Sequence, residues 1–255
     1  MQDYTSLKLF LQSKSEMLKY YLTLSLVLRD QTSWADIGFE VAFEQFALPT
    51  LPIGSSTVKN NASIKVVKDT QNIAVSVGDL RFDWQRKEAV MTVPNCMLQG
   101  PELNVFRAYL DNDDAFAKDW DAAELPTLSR KVQQCEVVTE EDRQVCVVTQ
   151  THLCDSNDKT VIGSMIKHTV HADGWILLEQ TVTPSQVLPT LPRIGMVMKL
   201  PTAMDQVHWY GKGPIETFSD RNTGAKVGYY QASVDDLFVP YIHPQEPGLR
   251  TNDRW

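Results

Sequence analysis

His168-Thr169-Val170-His171 sets two imidazoles three residues apart, the closest histidine pair in the chain. On a helix this spacing turns both rings to one side and offers two nitrogens to a metal. On a strand it turns them to opposite faces. Ser164 to Val170 reads as a strand, so no metal site is expected there. His208 in VHWYGKGP and His243 in YIHPQE are expected to be structural, hydrogen-bonding histidines. Asp and Glu number 32, so carboxylate pairs alone single out nothing. The densest acidic run is Asp111-Asn112-Asp113-Asp114. It fits either a turn whose side chains bond nearby backbone or a site for a cation or sugar hydroxyls.

Other reactive arrangements are missing. There is no G-x-S-x-G nucleophile elbow, no P-loop and no H-E-x-x-H. Gly211-Lys212-Gly213-Pro214 is too short for a phosphate cradle, and Pro214 removes a donor, so a tight turn after a strand Val207–Tyr210 is expected. Trp34, Trp84, Trp120, Trp175, Trp209 and Trp255 have faces on which sugars stack, but their scatter over strands and loops favours core positions. Cys96, Cys135, Cys146 and Cys154 form no C-x-x-C pair and are expected to be reduced thiols. The residues name no catalyst.

The elements that must position these groups are strands. Leu22, Leu24, Leu26 and Leu28 alternate with Thr23, Ser25, Val27 and Arg29; Phe39, Val41 and Phe43 repeat the pattern. Ile73, Val75 and Val77 do so again, then Leu80, Phe82 and Trp84, then Val145, Val147, Thr149 and Thr151. Each set predicts a strand with one face on a core. Turns are expected at Asp30–Ser33, Val77–Asp79, Asp155–Asp158 and Ala172–Gly174. Only Asp113 to Glu124 has helical composition. Residues 47–62, rich in Pro, Ser and Asn, read as a linker or long loop. Too few strands precede it for a stable sandwich of their own.

The chain has 255 residues, 43% hydrophobic and 22% charged, with a net charge of −8. That balance suits a globular domain with a sizeable core and argues against nucleic acid or an anionic membrane as partner. No basic and apolar leader follows Met1, which sets the expectation of a cytoplasmic protein.

Four stretches carry a further signal when taken in order: Arg107 to Asp113 (RAYLDND), Leu191 to Met196 (LPRIGM), Trp209 to Arg221 (WYGKGPIETFSDR) and Pro240 to Arg250 (PYIHPQEPGLR). Together they resemble the C-terminal region of the large β-galactosidases of glycoside hydrolase family 2. Ser33 to Phe46 resembles the last strands of the immunoglobulin-like domain that precedes that region. The resemblance implies an all-β chain. Residues 1–48 would be immunoglobulin-like strands, 49–57 a linker, and 58–255 most of an antiparallel β-supersandwich related to galactose mutarotases. It implies that the chain stops inside a domain, and that Trp255 is not the family's galactoside-site tryptophan.

The same resemblance places the catalytic glutamates, and the magnesium and sodium of the full enzyme, in earlier domains, so no catalytic residue, metal ligand or cofactor is expected here. The implied partners are a TIM-barrel catalytic domain, on this or another chain, a galactoside reached through the whole enzyme, and further copies in a homo-oligomer. Asp113, Asp114 and Ala115 would open a loop at the active-site mouth. Asp114-Ala115 stands where a glycine is common in the family, Tyr109 where a proline is, and Phe218 where a tyrosine is. The motif residues expected to hold loops are Arg107, Asp111, Asn112 and Asp113, then Arg193, then Gly213, Pro214, Glu216, Asp220 and Arg221, and finally Tyr241, Pro244, Gln245, Glu246, Gly248 and Arg250. Buried charge networks are expected from Arg107 with Asp111–Asp113, from Glu216 with Arg221, and from Glu246 with Arg250. A small subunit needing a large catalytic partner, a non-catalytic sugar-binding module and a mutarotase-like enzyme are the alternatives.

Overall fold

The computed structural model describes residues 7–9, 21–49, 62–185, 187–243, 245 and 247–250. Chain order begins β1 (Leu7–Leu9), β2 (Tyr21–Val27), β3 (Glu40–Ala47), β4 (Ile64–Lys68), β5 (Asn72–Val77), β6 (Leu80–Gln85), β7 (Val90–Val93) and β8 (Met97–Asn104). Helix α1 (Ala117–Ala122) follows, then β9 (Ser129–Glu141), β10 (Gln144–Cys154), β11 (Thr160–His171), β12 (Ile176–Pro184), β13 (Gly195–Lys199), β14 (Gln206–Gly213) and β15 (Lys226–Ser233). All pairings are antiparallel. The expectation of an all-β chain with one short helix holds. No helix among the described residues is long and apolar enough to cross a membrane.

The chain divides into two compact units, residues 1–11, 58–204 and 241–245 in one, and 12–57, 205–240 and 246–255 in the other. Strand β1 pairs with β12, while β2 and β3 belong to the second unit, which also takes β14 and β15. Of the expected linker, residues 50–57 lie outside the described residues, as does Trp255.

The first unit is a two-sheet sandwich. One sheet runs β13-β8-β7-β6-β5-β4, the other β1-β12-β11-β10-β9. Period-two alternation gives each sheet an apolar inner face. Ile73, Val75, Val77, Phe82 and Trp84 of the first sheet close on Cys135, Val145, Val147 and Val170 of the second. Fully burying each such side chain stabilises by roughly 1.5–3 kcal/mol. Val105, Leu153, Val161 and Ile162 form a separate apolar cluster. On the inner face of the second sheet, Thr149 and Thr151 of β10, Ser164 and His168 of β11 and Gln180 of β12 are buried polar residues. They lie along their strands between Val145, Val147 and Val170 on one side and Leu153 and Ile162 on the other, so a polar belt separates two apolar clusters.

In the second unit, β2 pairs with β3 and β14 with β15. The Gln45 amide donates to Val227 O at 3.1 Å and accepts from Val227 N at 2.7 Å, standing in for a strand partner on β15. Lys226 Nζ lies 2.6 Å from Glu40 and 4.6 Å from the Phe43 ring centroid. The opposite face of the hairpin departs from expectation. Leu22, Leu24, Leu26 and Phe46 alternate as a core face should, yet they are exposed. Strand pairing satisfies the backbone, but a two-stranded ribbon has no second layer of its own to cover an apolar face.

Candidate functional site

The Arg107 to Leu125 loop is built around one carboxylate. Leu110 is extended, φ −117° and ψ 167°, and a single 3-10 turn, Asp111–Asp113, follows it. That turn brings the Asp113 carboxylate back to accept Leu110 N at 2.7 Å. Arg107 then grips it with both arms, Nη1 to Oδ2 at 2.6 Å and Nη2 to Oδ1 at 3.1 Å. The Arg107 hydrogen bond, followed by the Leu110 amide, holds the Asp113 carboxyl below the usual carboxylate range against the opposing effect of burial. Asp111, Asn112, Asp114 and Ala115 are exposed, so the expected network reduces to the Arg107–Asp113 pair. Asp114 has φ −51° and ψ −35°, ordinary right-handed backbone, so no glycine is required there.

Trp120 of α1 anchors the rest of the loop. It is buried, and its Nε1 donates to Thr190 O at 2.7 Å. Phe116 and Tyr109 stack on its ring at centroid distances of 6.0 Å, and Phe106 meets it edge-on at 6.2 Å. The Tyr109 hydroxyl donates to Asp121. Tyr109 is therefore part of an aromatic stack rather than a simple replacement for a turn residue. Sequence patterning missed this cluster because its partners span three local conformations.

The second cluster lies in the second unit and joins two of the motifs. Arg250 Nη1 donates to Pro214 O at 3.0 Å and Ile215 O at 2.8 Å, and its guanidinium carbon sits 4.4 Å from the Trp209 ring centroid. Thr217 N donates to Leu249 O at 2.9 Å. Glu216 accepts from Gly248 N, with Arg221 more distant at 3.7 Å. Arg221 also covers the Phe218 ring at 4.4 Å. Gly248 has φ +78°, a left-handed conformation that favours glycine at this turn.

Gly211-Lys212-Gly213 is not a turn. It is the end of β14, paired with Gly228 to Lys226 of β15. A Cβ on Gly213 would stand 2.8 Å from Tyr230 Cδ2 and 3.2 Å from Trp209 Cζ2. The glycine therefore makes room for two rings. We expect Gly213→Ala to destabilise by about 1–3 kcal/mol through overpacking, seen as a lower urea midpoint with an unchanged denaturant slope.

The remaining motif residues are not drawn into either cluster by the hydrogen bonds above. Arg193, Asp220 and Gln245 are exposed, and Tyr241 is half-buried. Pro244 and Glu246 lie outside the described residues, so the expected Glu246–Arg250 pair does too. His168 and His171 alternate across β11, the first buried and the second half-buried. Among the described residues no group of three or more His, Cys, Asp or Glu side chains is placed to hold a metal ion. Asp113 is committed to Arg107 and Leu110, and Glu216 to Gly248. Such clusters hold loops; they offer no carboxylate poised for proton transfer.

Residues 73–255 match the family model described as Beta galactosidase small chain. Residues 2–49 match the one described as Beta-galactosidase, domain 4. A Beta-galactosidase of Priestia megaterium is 30% identical over 254 residues, covering 96% of this chain and 24% of the relative. One of Vibrio vulnificus is 31% identical, covering 93% and 25%. One of Photobacterium profundum is 30% identical, covering 100% and 26%. The chain thus spans about a quarter of the length of the curated relatives it matches. With nearly all of the chain aligned to these proteins and most of its length matched by one family model, the chain belongs to the β-galactosidase small-chain family.

Proposed function

We propose that this chain is the scaffold and active-site wall of a retaining β-galactosidase that hydrolyses terminal, non-reducing β-D-galactose residues, as in lactose-type galactosides. The observation that carries this reading is the small-chain match over residues 73–255, joined to a domain 4 match over residues 2–49. A retaining glycosidase needs two carboxyl groups about 5–5.5 Å apart across the scissile bond, one as nucleophile and one as acid and base. On this reading both come from a TIM-barrel catalytic domain on this or a partner chain. The magnesium and sodium of the family enzyme do not fit the described residues, whose buried carboxylate, Asp113, is taken by an arginine, and belong with that domain. The Asp113–Ala115 loop would border the pocket mouth. Assembly as a cytoplasmic homo-oligomer completes the reading.

The test is hydrolysis of a chromogenic β-galactoside by the purified chain, alone and after mixing with the remaining catalytic portion of the enzyme. No turnover alone and turnover on mixing are expected. Turnover by the chain alone would place the catalytic pair within it and overturn the assignment.

A further inference from the structure

We propose that the sandwich interior contains a binding site for a water molecule, held by Trp84, His168 and Gln180. The polar belt that separates the two apolar clusters leaves three side-chain atoms without partners: Trp84 Nε1, His168 Nδ1 and Gln180 Oε1. Their residues are no more than 1% exposed. A buried polar group left unpaired costs about 1–3 kcal/mol, so three such atoms in one interior call for a partner.

Register and ring contact make His168 a neighbour of both other residues. Trp84 of β6 meets His168 edge-on at a ring-centroid distance of 5.5 Å. Gln180 stands opposite Ile166 and His168 opposite Leu178, so Gln180 and His168 are diagonal neighbours on one face of the β11–β12 pair. The other polar atoms of both residues are already committed. His168 Nε2 lies 3.2 Å from Thr149 Oγ1, and Gln180 Nε2 donates to Ser164 Oγ at 3.2 Å.

The chemistry of the donor set selects the ligand. Trp84 offers only a donor, Gln180 Oε1 only an acceptor, and His168 Nδ1 either role. A cation would meet the indole N–H and find no carboxylate. An anion would meet the amide oxygen. Water accepts from Trp84, donates to Gln180 and completes a third bond at His168, the usual number for a buried water. The geometry assigns the belt a structural hydration site.

The test is a crystal structure of the protein at about 1.5 Å, paired with water-oxygen magnetic relaxation dispersion on the parent and on Trp84→Phe. Ordered water within about 3.2 Å of at least two of the three atoms is expected. The relaxation signal should fall by one long-lived water in Trp84→Phe. Density showing the three atoms bonded directly to protein groups, or an ion between them, would overturn the proposal. So would an unchanged count of long-lived waters in a folded Trp84→Phe. If that variant does not fold, the parent's density decides by itself.

Discussion

Acidification from pH 7 to pH 4 is expected to destabilise the sandwich by about 3 kcal/mol through His168 alone, and a non-titrating residue at that position should abolish this part of the pH dependence. His168 is fully enclosed, and burial pushes its pKa down from 6.5 to about 3. The groups around it, Trp84, Thr149 and Gln180, carry no charge that would offset the cost of an imidazolium. The folded state therefore holds the neutral ring while the unfolded chain takes up a proton near its ordinary pKa. The stability contributed by the neutral ring is complete above pH 6.5. It is lost as pH falls toward 3, at about 1.4 kcal/mol per pH unit. The whole window amounts to about 5 kcal/mol, comparable to the total stability of many domains.

Urea denaturation at pH 7, 6, 5 and 4 measures this directly. His168→Gln will be less stable at pH 7, because it disturbs a packed belt, so the quantity to compare is the slope against pH. Asp113 also favours neutral pH, since its carboxyl is held below the usual range, but its contribution is lost only near and below the ordinary carboxylate pKa of 3.8. The interval from pH 6.5 to 4.5 therefore isolates the histidine. Equal slopes for parent and variant in that interval would show that His168 takes up its proton in the folded state and that the belt tolerates it.

Arg107→Ala should cost about 3–5 kcal/mol, the range for breaking a buried ion pair from one side. The side chains of Arg107 and Asp113 are only 16% and 8% exposed, so solvent screens the pair little. Removing the guanidinium leaves the Asp113 carboxylate with the Leu110 amide and no counter-charge. Arg107→Lys keeps the charge but loses the two-armed geometry, and should fall between parent and alanine variant. Hydrogen exchange adds a local readout: amides from Leu110 to Ala123 should lose protection in Arg107→Ala, because the turn and α1 hang on this pair and on the Trp120 stack. An alanine variant within about 0.5 kcal/mol of the parent, the spread of ordinary surface substitutions, would assign the loop's order to Trp120 instead.

The legible parts of the fold share one property: their signal is local. Val145, Val147, Thr149 and Thr151 occupy the inner face of β10 as their alternation requires, because the pleat turns every second side chain the same way. The helix within 113–124 is equally visible, since Ala and Lys around Trp120 favour that backbone and Asp119 suits its first turn. Where local pattern misled, a distant residue decided. Gly211-Lys212-Gly213 has turn composition, but Tyr230, far along the chain and across the sheet, needs the space that glycine leaves. Leu22, Leu24 and Leu26 have a core pattern, but alternation reports that a face is apolar and says nothing of what covers it.

The candidate site divides in the same way. Arg107 and Asp113, six residues apart, could be paired on paper. Arg250 on Trp209, with its two bonds to the Pro214 and Ile215 carbonyls, could not, nor could the exclusion of Asp111 from the Arg107 grip. By itself, the order of residues determined the strands, most of the turns, the short helix and, through its motifs, the family. Those follow from backbone preference and from residue identity along a few neighbouring positions. Only the tertiary structure decided which carboxylate is buried with its arginine, which glycine shelters beneath a ring, and that five polar side chains meet as a belt inside an apolar core. Each of these depends on how the backbone turns and which strands pair, so its geometry is set by register and packing rather than by spacing in the chain.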